Sequence, residues 1–388
     1  MYFQETYKDC REAFLRAVDQ SSKINGWAVH RDQISVFNQN NEDLTIDLVR
    51  VLATQTAKKA LIITSAEHGV EGYVGSAIQQ LFIEKILPHW DLSETTIVLV
   101  HAVNPWGFSN NRRVSEKNID LNRNFFDENE IQEFDNPFYA HLENLLNPQS
   151  PATHGSISSF RLIWKVIRAV RKYGIYSVRE ALLKGQKQFP KGMFFSGRTL
   201  DPNCSQLIDR IQDWTQDLQS VLHLSLHTGF GARGEMHLIE PVSLPRQSMD
   251  QIQQIFSQFP MHLANDKDFY KVFGGFQDFV HKCLEKKVSY LPMTLEFGTV
   301  NNQTLWGGLK SLVTMIKENQ GYHYGYKSEK DQREIEKQYL ELYYPSSEEW
   351  REKIINDVTK LFHIVQSNWV SHPSFGDETA SLRFVQPI

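Results

Sequence analysis

The stretch SAEHGVEGYVGS places His68 and Glu71 in H-x-x-E spacing, which can bring two metal ligands together. It follows an apolar β-rich run and precedes a helical pattern, so the pair lies where a strand ends and a helix begins. On such a loop the imidazole and the carboxylate can turn toward one point. With a third protein ligand they would leave the open fourth position that a catalytic zinc needs. An ordinary solvated loop has the same pattern, so the third ligand must decide.

The segment NPWGFSNNRRVSEKNIDLNRNF (104–125) is rich in side chains that bind a carboxylate or a developing oxyanion. A guanidinium grips a carboxylate with two parallel hydrogen bonds, and a nearby amide adds a neutral donor. Taken alone, the segment is more typical of a surface loop with solvated arginines. The candidate residues are Arg112, Arg113, Asn122 and Arg123.

Glu296 ends an apolar run in MTLEFG. A buried carboxylate without a partner is costly, so this residue is paired or functional unless it lies in solvent at the strand end. As a general base, Glu296 would take a proton from metal-activated water and pass it to a leaving group.

The stretch HTGFGARGEMHLIE (227–240) allows three interpretations. Its glycines match the dinucleotide-binding pattern G-x-G-x-x-G, but the residues that follow predict a strand instead of the required helix. His237 and Glu240 could form a metal pair, but three residues apart on a strand they point to opposite faces. There remains His227, a single ligand for a metal bound elsewhere, and the glycines then let the backbone turn sharply beside it.

Two other histidines are expected to be structural. His223 shares a strand face with His227 but lies further from the strand end, which favours a core residue. His101 follows the strand pattern of VLVHAV. The chain has neither a G-x-S-x-G nucleophile elbow nor a phosphate-binding P-loop.

Strands that alternate with helices must position these residues. Nearly uniformly apolar strands predict a single-domain α/β fold, with a mixed or mostly parallel twisted sheet covered by helices on both faces. In such sheets the chemistry lies at the carboxyl ends of the strands. The predicted strands cover 57–67, 95–103, 220–227 and 290–299, and the predicted helices include 204–219 and 301–318.

We expect one catalytic domain over residues 1–388, with its core at about 25–320. Residues 125–200 interrupt the alternation with a basic helical insertion, which we interpret as an elaboration of the core. Residues 324–388 predict a C-terminal extension of two charged amphipathic helices on the outside of the sheet.

The composition of the 388 residues is ordinary for a soluble globular protein, and the net charge of −5 argues against a nucleic-acid partner. Three cysteines without a C-x-x-C pair suit a reducing compartment. The polar N-terminus does not resemble a signal peptide, and no run approaches the ~18 apolar residues of a membrane span. We therefore expect a cytoplasmic protein without a membrane partner. The composition leaves the oligomeric state open.

The motifs follow one another in a definite order: H-G-x-E, N-P-x-G, R-R before D-L-N-R-N, a histidine that ends a strand, and T-L-E. Over about residues 57–300 this order resembles the zinc carboxypeptidase family, and most closely a bacterial branch of it. The wider superfamily includes the succinylglutamate desuccinylase and aspartoacylase deacylases. The resemblance implies a zinc-carboxypeptidase-like fold and a Zn²⁺ ion held by His68, Glu71 and His227.

The resemblance also implies roles for the other candidates. Glu296 matches the general base, and Asn122 and Arg123 match the pair that holds the terminal carboxylate of the substrate. Arg113 matches the arginine that stabilises the oxyanion. Arg112 is a rival for that role, because the R-R to D-L-N-R spacing is shorter than in digestive carboxypeptidases.

The segment YKVFGGFQD (270–278) is similar to the family's mobile substrate-capping segment. Tyr270 is then a candidate to cover the substrate carboxylate, although a packed aromatic is an equally good interpretation. Gln277 takes the position that helps to set side-chain preference, and it is neither a strong acid nor an aliphatic residue.

The resemblance implies zinc-dependent hydrolysis of an amide bond next to a free carboxylate. A metallocarboxypeptidase that acts on a peptide is the first hypothesis, and a deacylase of small N-acyl amino acids is the alternative. A non-catalytic binding module is a third hypothesis, and the presence of Glu296 with all three ligands weighs against it.

Overall fold

The computed structural model describes residues 2–40, 42–240, 244–263, 273–285, 287–301 and 304–371. Its centre is a mixed sheet of eight strands. The strands are β1 (Val29–Ser35), β2 (Thr45–Val51), β3 (Lys59–Ser65), β4 (Thr95–His101), β5 (Ser220–Thr228), β6 (Met236–Glu240), β7 (Met261–Leu263) and β8 (Ser289–Phe297).

Across the sheet the strands lie in the order β1-β2-β4-β3-β5-β8-β6-β7. The central strands β4, β3, β5 and β8 run parallel, whereas antiparallel pairs join β1 to β2, β2 to β4 and β6 to β8. These central strands are the four predicted ones. β3, β4 and β5 are buried along their whole length, which explains why their sequences are apolar without alternation.

Helices cover both faces of the sheet, so the predicted fold class is confirmed. They are α1 (Tyr7–Asn25), α2 (Gly72–Leu81), α3 (Pro105–Ser109), α4 (Glu128–Glu133), α5 (Tyr139–Leu146), α6 (Ser156–Tyr173), α7 (Ile175–Leu183), α8 (Pro202–Thr215), α9 (Arg246–Ile255), α10 (Phe276–Leu284), α11 (Leu305–Tyr324), α12 (Glu329–Glu341) and α13 (Glu348–Val365).

Each central strand contributes to two separate cores, because successive side chains point to opposite faces. In β3, Leu61 and Ile63 pack in a core with α1, α2, α9 and α13. Ala60 and Ile62 pack on the other face with α8 and α10.

The insertion at 125–200 contains α4 to α7, as its helical pattern predicts. Side chains of α5, α6 and α7 form a third apolar cluster together with Val313 and Ile316 of α11. The insertion is therefore joined to the rest of the protein by apolar packing on α11.

Both ends of the described chain contribute to the main core. α1 precedes the predicted start of the core near residue 25, yet its Phe14 is fully buried. The two predicted C-terminal helices are α12 and α13. α13 packs more deeply than expected, since Ile354, Val358 and Phe362 share the core with the sheet. None of the described helices is both long and apolar enough to cross a membrane.

Candidate metal centre

The carboxyl ends of β3, β5 and β8 meet at one edge of the sheet. His68 follows the end of β3 by three residues, and His227 is the penultimate residue of β5. On the neighbouring β8, Glu296 is paired in register with His227. Such neighbours lie about 5 Å apart and present their side chains on the same face. The candidate base is therefore next to a candidate ligand.

A single 3₁₀ turn, Gly69–Glu71, carries the H-x-x-E motif between β3 and α2. Only glycine fits at its first position, because a Cβ atom there would lie 2.1 Å from the carbonyl carbon of Gly107 in the NPWG segment. Just before the turn, Ala66 has a φ of 56°, a left-handed conformation that costs an L-residue about 1–2 kcal/mol. This break in the strand alternation allows the consecutive residues Glu67 and His68 to reach the same cluster.

The three predicted metal ligands come together at this edge. Potential ligand atoms of His68, Glu71 and His227 all lie within 4.8 Å of one another, and all three side chains are buried. Nδ1 of His227 is 3.0 Å from Oε2 of Glu71. The His68 and His227 rings are 5.2 Å apart between centroids. Two histidines and one glutamate are a known donor set for catalytic zinc.

The pKa values of the two histidines are shifted in opposite directions. Burial and the positive charge of Arg113 lower the pKa of His68 well below 6.5. Burial also acts to lower the pKa of His227, but hydrogen bonds with Glu67 and Glu71 outweigh it, so that this pKa lies well above 6.5. A cation would displace the proton from His227, because metal ligands bind in their deprotonated forms.

The polar atoms of the cluster fit a metal ion. Burial raises the pKa of Glu296 to about 8, against the opposing charge of His227. Among the described residues, neither Oε2 of Glu296 nor Nδ1 of His68 has a hydrogen-bond partner, although both atoms are buried. Such buried polar atoms are costly. A divalent cation close to them would offset that cost.

The adjacent arginines have different surroundings. Nη2 of Arg113 donates to Nε2 of His68 at 2.6 Å. Arg112 is buried instead against α11, where its Nε donates to Oε1 of Glu318 at 2.7 Å and its guanidinium lies over the ring of Tyr322. The structure thus brings Arg113 to the candidate ligands and places Arg112 in a separate polar cluster.

The predicted carboxylate pair lies beneath the insertion. Asn122 is partly exposed, whereas Arg123 is only 1% exposed. Nε of Arg123 donates to the carbonyl oxygen of Leu183, the last residue of α7, at 2.9 Å. The Phe194 ring centroid is 5.6 Å from the guanidinium carbon of Arg123 and 5.7 Å from that of Arg113. The insertion therefore covers this end of the site.

The predicted capping segment is described only in part. Tyr270 lies outside the described residues. Gln277 lies on α10, where its amide nitrogen donates to the carbonyl oxygens of His223 and Met293 and its amide oxygen accepts from the Thr294 hydroxyl. These bonds fix the Gln277 amide against the sheet.

The glycine-rich stretch at 227–240 has the geometry predicted for it. All three glycines of the G-x-G-x-x-G pattern have positive φ angles, between 77° and 109°. The residues that follow form β6, which rules out the dinucleotide motif and puts His237 and Glu240 on a strand. His101, predicted to be structural, is fully buried, and its Nε2 lies 3.0 Å from the Ser76 hydroxyl.

A family model described as "Protein of unknown function (DUF2817)" matches residues 3–357. The chain belongs to this family. A search of curated proteins gives no match to the sequence of this DUF2817 protein.

Several solved structures are similar to the DUF2817 chain at low sequence identity. Bovine thrombin-activatable fibrinolysis inhibitor is 13% identical, with a TM-score of 0.46 over 92% of this chain and 99% of that one. Carboxypeptidase A of Helicoverpa armigera is 14% identical, with a TM-score of 0.43 over 84% and 72%. A succinylglutamate desuccinylase of a Silicibacter species is 13% identical, with a TM-score of 0.38 over 76% and 67%.

Two carboxylates of the DUF2817 site are missing from the sequence-based set. Asp120 is fully buried, accepts from Nε of Arg113 at 3.1 Å, and has its Oδ1 3.4 Å from Nδ1 of His68. Glu67 is 2% exposed and contacts His227. Both lie close in sequence to residues that the sequence does single out: Asp120 is two residues before Asn122 in D-L-N-R-N, and Glu67 immediately precedes His68. That adjacency is the signal that could have found them.

Proposed function

We propose that this protein is a zinc-dependent hydrolase that cleaves an amide bond adjacent to a free carboxylate, and that it acts as a carboxypeptidase. The observation that carries the proposal is the convergence of His68, Glu71 and His227 within 4.8 Å, with Glu296 beside His227 in register. The three thiols are free, which suits the reducing cytoplasm to which we assign the protein.

His68, Glu71 and His227 would hold the zinc ion, which when bound polarises the substrate carbonyl and lowers the pKa of water toward about 7. Glu296 then accepts the proton of the attacking water and delivers it to the leaving nitrogen. The backbone of Phe230 hydrogen-bonds to the Glu296 carboxyl, whereas Oε2 has no hydrogen-bond partner among the described residues. Catalysis requires the deprotonated carboxylate, and a nearby dication favours that form.

Arg113 is the proposed oxyanion donor. It lies against His68 and Asp120, and Asp120 fixes its guanidinium by accepting from Nε at 3.1 Å. A donor held in place before reaction stabilises developing charge without a reorganisation cost. Arg112 is unsuited to this role because its Nε is engaged by Glu318.

Asn122 and Arg123 are the proposed pair for the substrate carboxylate, with Tyr270 as a proposed cover. Fixing the carboxylate selects one bond for attack. The burial of Arg123 under Leu183 and Phe194 favours short substrates. This covering also supports the second candidate function, deacylation of small N-acyl amino acids.

The test combines metal analysis with a Glu296→Gln variant. We expect one zinc per chain in both proteins, and a kcat about 10²–10⁴-fold lower in the variant, because it lacks the general base. Glu235→Gln, at a largely exposed residue, is the matched control and should keep full activity. Absence of zinc from the parent, or equal turnover by E296Q, contradicts the proposal. Blocked dipeptides compared with N-acetyl and N-succinyl amino acids separate the two candidate activities.

A further inference from the structure

Glu67 is a buried carboxylate to which the proposed mechanism gives no task. It is 2% exposed, and its Oε2 lies 3.1 Å from Nε2 of His227. Its Oε1 has no hydrogen-bond partner among the described residues. The contact with His227 is therefore the interaction to explain.

The two nitrogens of the His227 ring face different groups. Nδ1 points to the cluster and lies 3.0 Å from Oε2 of Glu71, whereas Nε2 points to Glu67 and to the Ser225 hydroxyl, which is 3.0 Å away. A neutral imidazole has one N–H donor and one lone pair. Only the nitrogen with the lone pair can bind a metal.

We propose that Glu67 is a positioning residue for the metal centre. It accepts the Nε2–H of His227, fixes the orientation of the ring, and leaves the lone pair of Nδ1 directed toward His68 and Glu71. Carboxylates that accept from a ligand histidine also strengthen it as a donor to the metal. This inference rests on the proposed zinc site. Ser225 shares the same N–H but, as a neutral hydroxyl, contributes less than a carboxylate.

The experiment measures the zinc dissociation constant of Glu67→Gln by competition with a chromophoric chelator. We expect binding about 10–100-fold weaker than in the parent, as for other outer partners of ligand histidines. The metal-free protein should also lose some stability, because glutamine removes one of the two carboxylates that contact buried His227. Asp47→Asn alters another buried carboxylate, one bonded to Arg11, and should lower stability without weakening zinc binding.

Ser225→Ala provides a second comparison, since it removes the other neighbour of Nε2 and retains Glu67. It should weaken zinc binding less than E67Q does. Equal zinc affinity in E67Q and the parent overturns the inference. A loss of zinc affinity in Ser225→Ala as large as that in E67Q overturns it too. Both outcomes leave the proposed function standing. A parent protein that binds no zinc overturns the proposed function itself.

A different observation concerns the solvent side of the insertion. On α6, Ile157, Phe160 and Trp164 are 72%, 68% and 49% exposed. Their spacing of three and four residues puts them on one face of the helix. The buried face is formed by residues such as Leu162 and Val166, which pack inward. Three large apolar side chains are therefore left in solvent along one helix.

The same helix is strongly basic. It has no acidic residue among its 18, although the whole chain has a net charge of −5. Its exposed basic residues are Arg161, Lys165, Arg168, Arg171 and Lys172.

Independently of the metal centre, we infer that α6 docks on an anionic lipid surface. Ile157, Phe160 and Trp164 would enter the boundary between headgroups and acyl chains while the basic residues meet the headgroup charge, as in interfacial helices. The expectation of no membrane partner rests on the lack of a spanning run, which a surface-bound helix does not need. An extended anionic surface suits basic residues that are spread over residues 161–172 of the helix.

Co-sedimentation with vesicles tests this docking. The parent should bind vesicles of phosphatidylcholine with phosphatidylserine and not those of phosphatidylcholine alone, and added salt should release it. Lys165→Glu with Arg168→Glu should lower the partition coefficient at least about 25-fold, because each basic residue contributes roughly fivefold. Phe160→Ser with Trp164→Ser should also abolish sedimentation. Phe37→Ser, at a residue 85% exposed and outside the insertion, is the matched control.

Three outcomes overturn the docking proposal. One is no binding to phosphatidylserine vesicles at low salt, and another is binding that the charge reversals leave unchanged. The third is self-association of the parent that Phe160→Ser with Trp164→Ser disrupts, because the apolar residues would then contact a second copy of the chain.

Discussion

β5 carries two buried histidines, four residues apart on the same face of the sheet. Their pKa values are shifted in opposite directions. His223, in the middle of the strand, lies between two hydroxyls: its Nε2 is 3.0 Å from Thr64 Oγ1 and its Nδ1 is 2.5 Å from Tyr290 Oη. Burial lowers its pKa to about 3. His227, one residue before the end of the strand, has its pKa raised well above 6.5.

Both side chains are buried, so their neighbours and not their burial distinguish the two histidines. In the middle of β5 the neighbours are side chains of adjacent strands, and β3 and β8 offer His223 only hydroxyls. At the strand end, the loop after β3 brings the carboxylates of Glu67 and Glu71 to His227. Anionic partners favour a cation at this position, a proton or a metal, whereas neutral partners favour an uncharged ring.

Replacing each histidine by glutamine should have very different effects on the metal centre. His227→Gln should lose stoichiometric zinc and lower kcat by at least the ~10²–10⁴-fold expected for loss of the general base, because the metal centre loses a ligand. His223→Gln should keep one zinc per chain and much of the activity. Metal analysis and steady-state kinetics on both proteins check this, and zinc loss from His223→Gln would place that residue in the site.

The stability of the protein should depend on pH through His223. The pKa of His223 is about 3 in the folded protein and near 6.5 in the unfolded chain, so the unfolded chain binds the proton more readily. Its contribution to the free energy of unfolding is complete above about pH 6.5 and is lost as the pH falls toward 3, by roughly 5 kcal/mol at most. His101, whose pKa burial also lowers to about 3, acts in the same window.

Urea unfolding at several values between pH 7 and 4 measures this effect. The free energy of unfolding of the parent should fall with pH, and His223→Gln should make the slope shallower while His101 keeps part of it. An identical slope in the two proteins would show that His223 does not titrate as its surroundings indicate.

Uniformly apolar runs predict β3, β4, β5 and β8, because parallel strands buried on both faces need no polar residues. β2 does not show this pattern, because it contains the charged residues Asp47 and Arg50. Arg11 of α1 donates to the Asp47 carboxylate, so charge within a strand is balanced from a helix about 36 residues upstream. β1 is a partly exposed edge strand, and β7 has only three residues.

Within the site, the residues that form sequence motifs were easier to predict than the residues that contact and position them. His68, Glu71 and His227 have types and positions that indicate metal binding, and the structure brings them together. Glu67 could not be predicted from strand alternation, which puts consecutive residues on opposite faces. The left-handed conformation of Ala66 interrupts that alternation.

The choice between Arg112 and Arg113 depends on residues far along the chain. Glu318 on α11 engages Arg112 from more than 200 positions away. No local pattern in R-R contains that information, because either arginine could face the ligands until α11 is packed.

A single hydroxyl on β8 stabilises His223 and does not contact His227. Tyr290→Phe removes the hydroxyl bonded to Nδ1 of His223 and leaves that buried nitrogen without its partner, which should cost about 1–3 kcal/mol of unfolding free energy. The zinc affinity should not change, because Tyr290 lies six residues before Glu296 on β8 and His223 is no ligand. Urea unfolding and chelator competition on the same preparation measure both quantities. Weaker zinc binding in Tyr290→Phe, at unchanged stability, would mean that the middle of β5 is coupled to the metal centre and that its two histidines belong to one network.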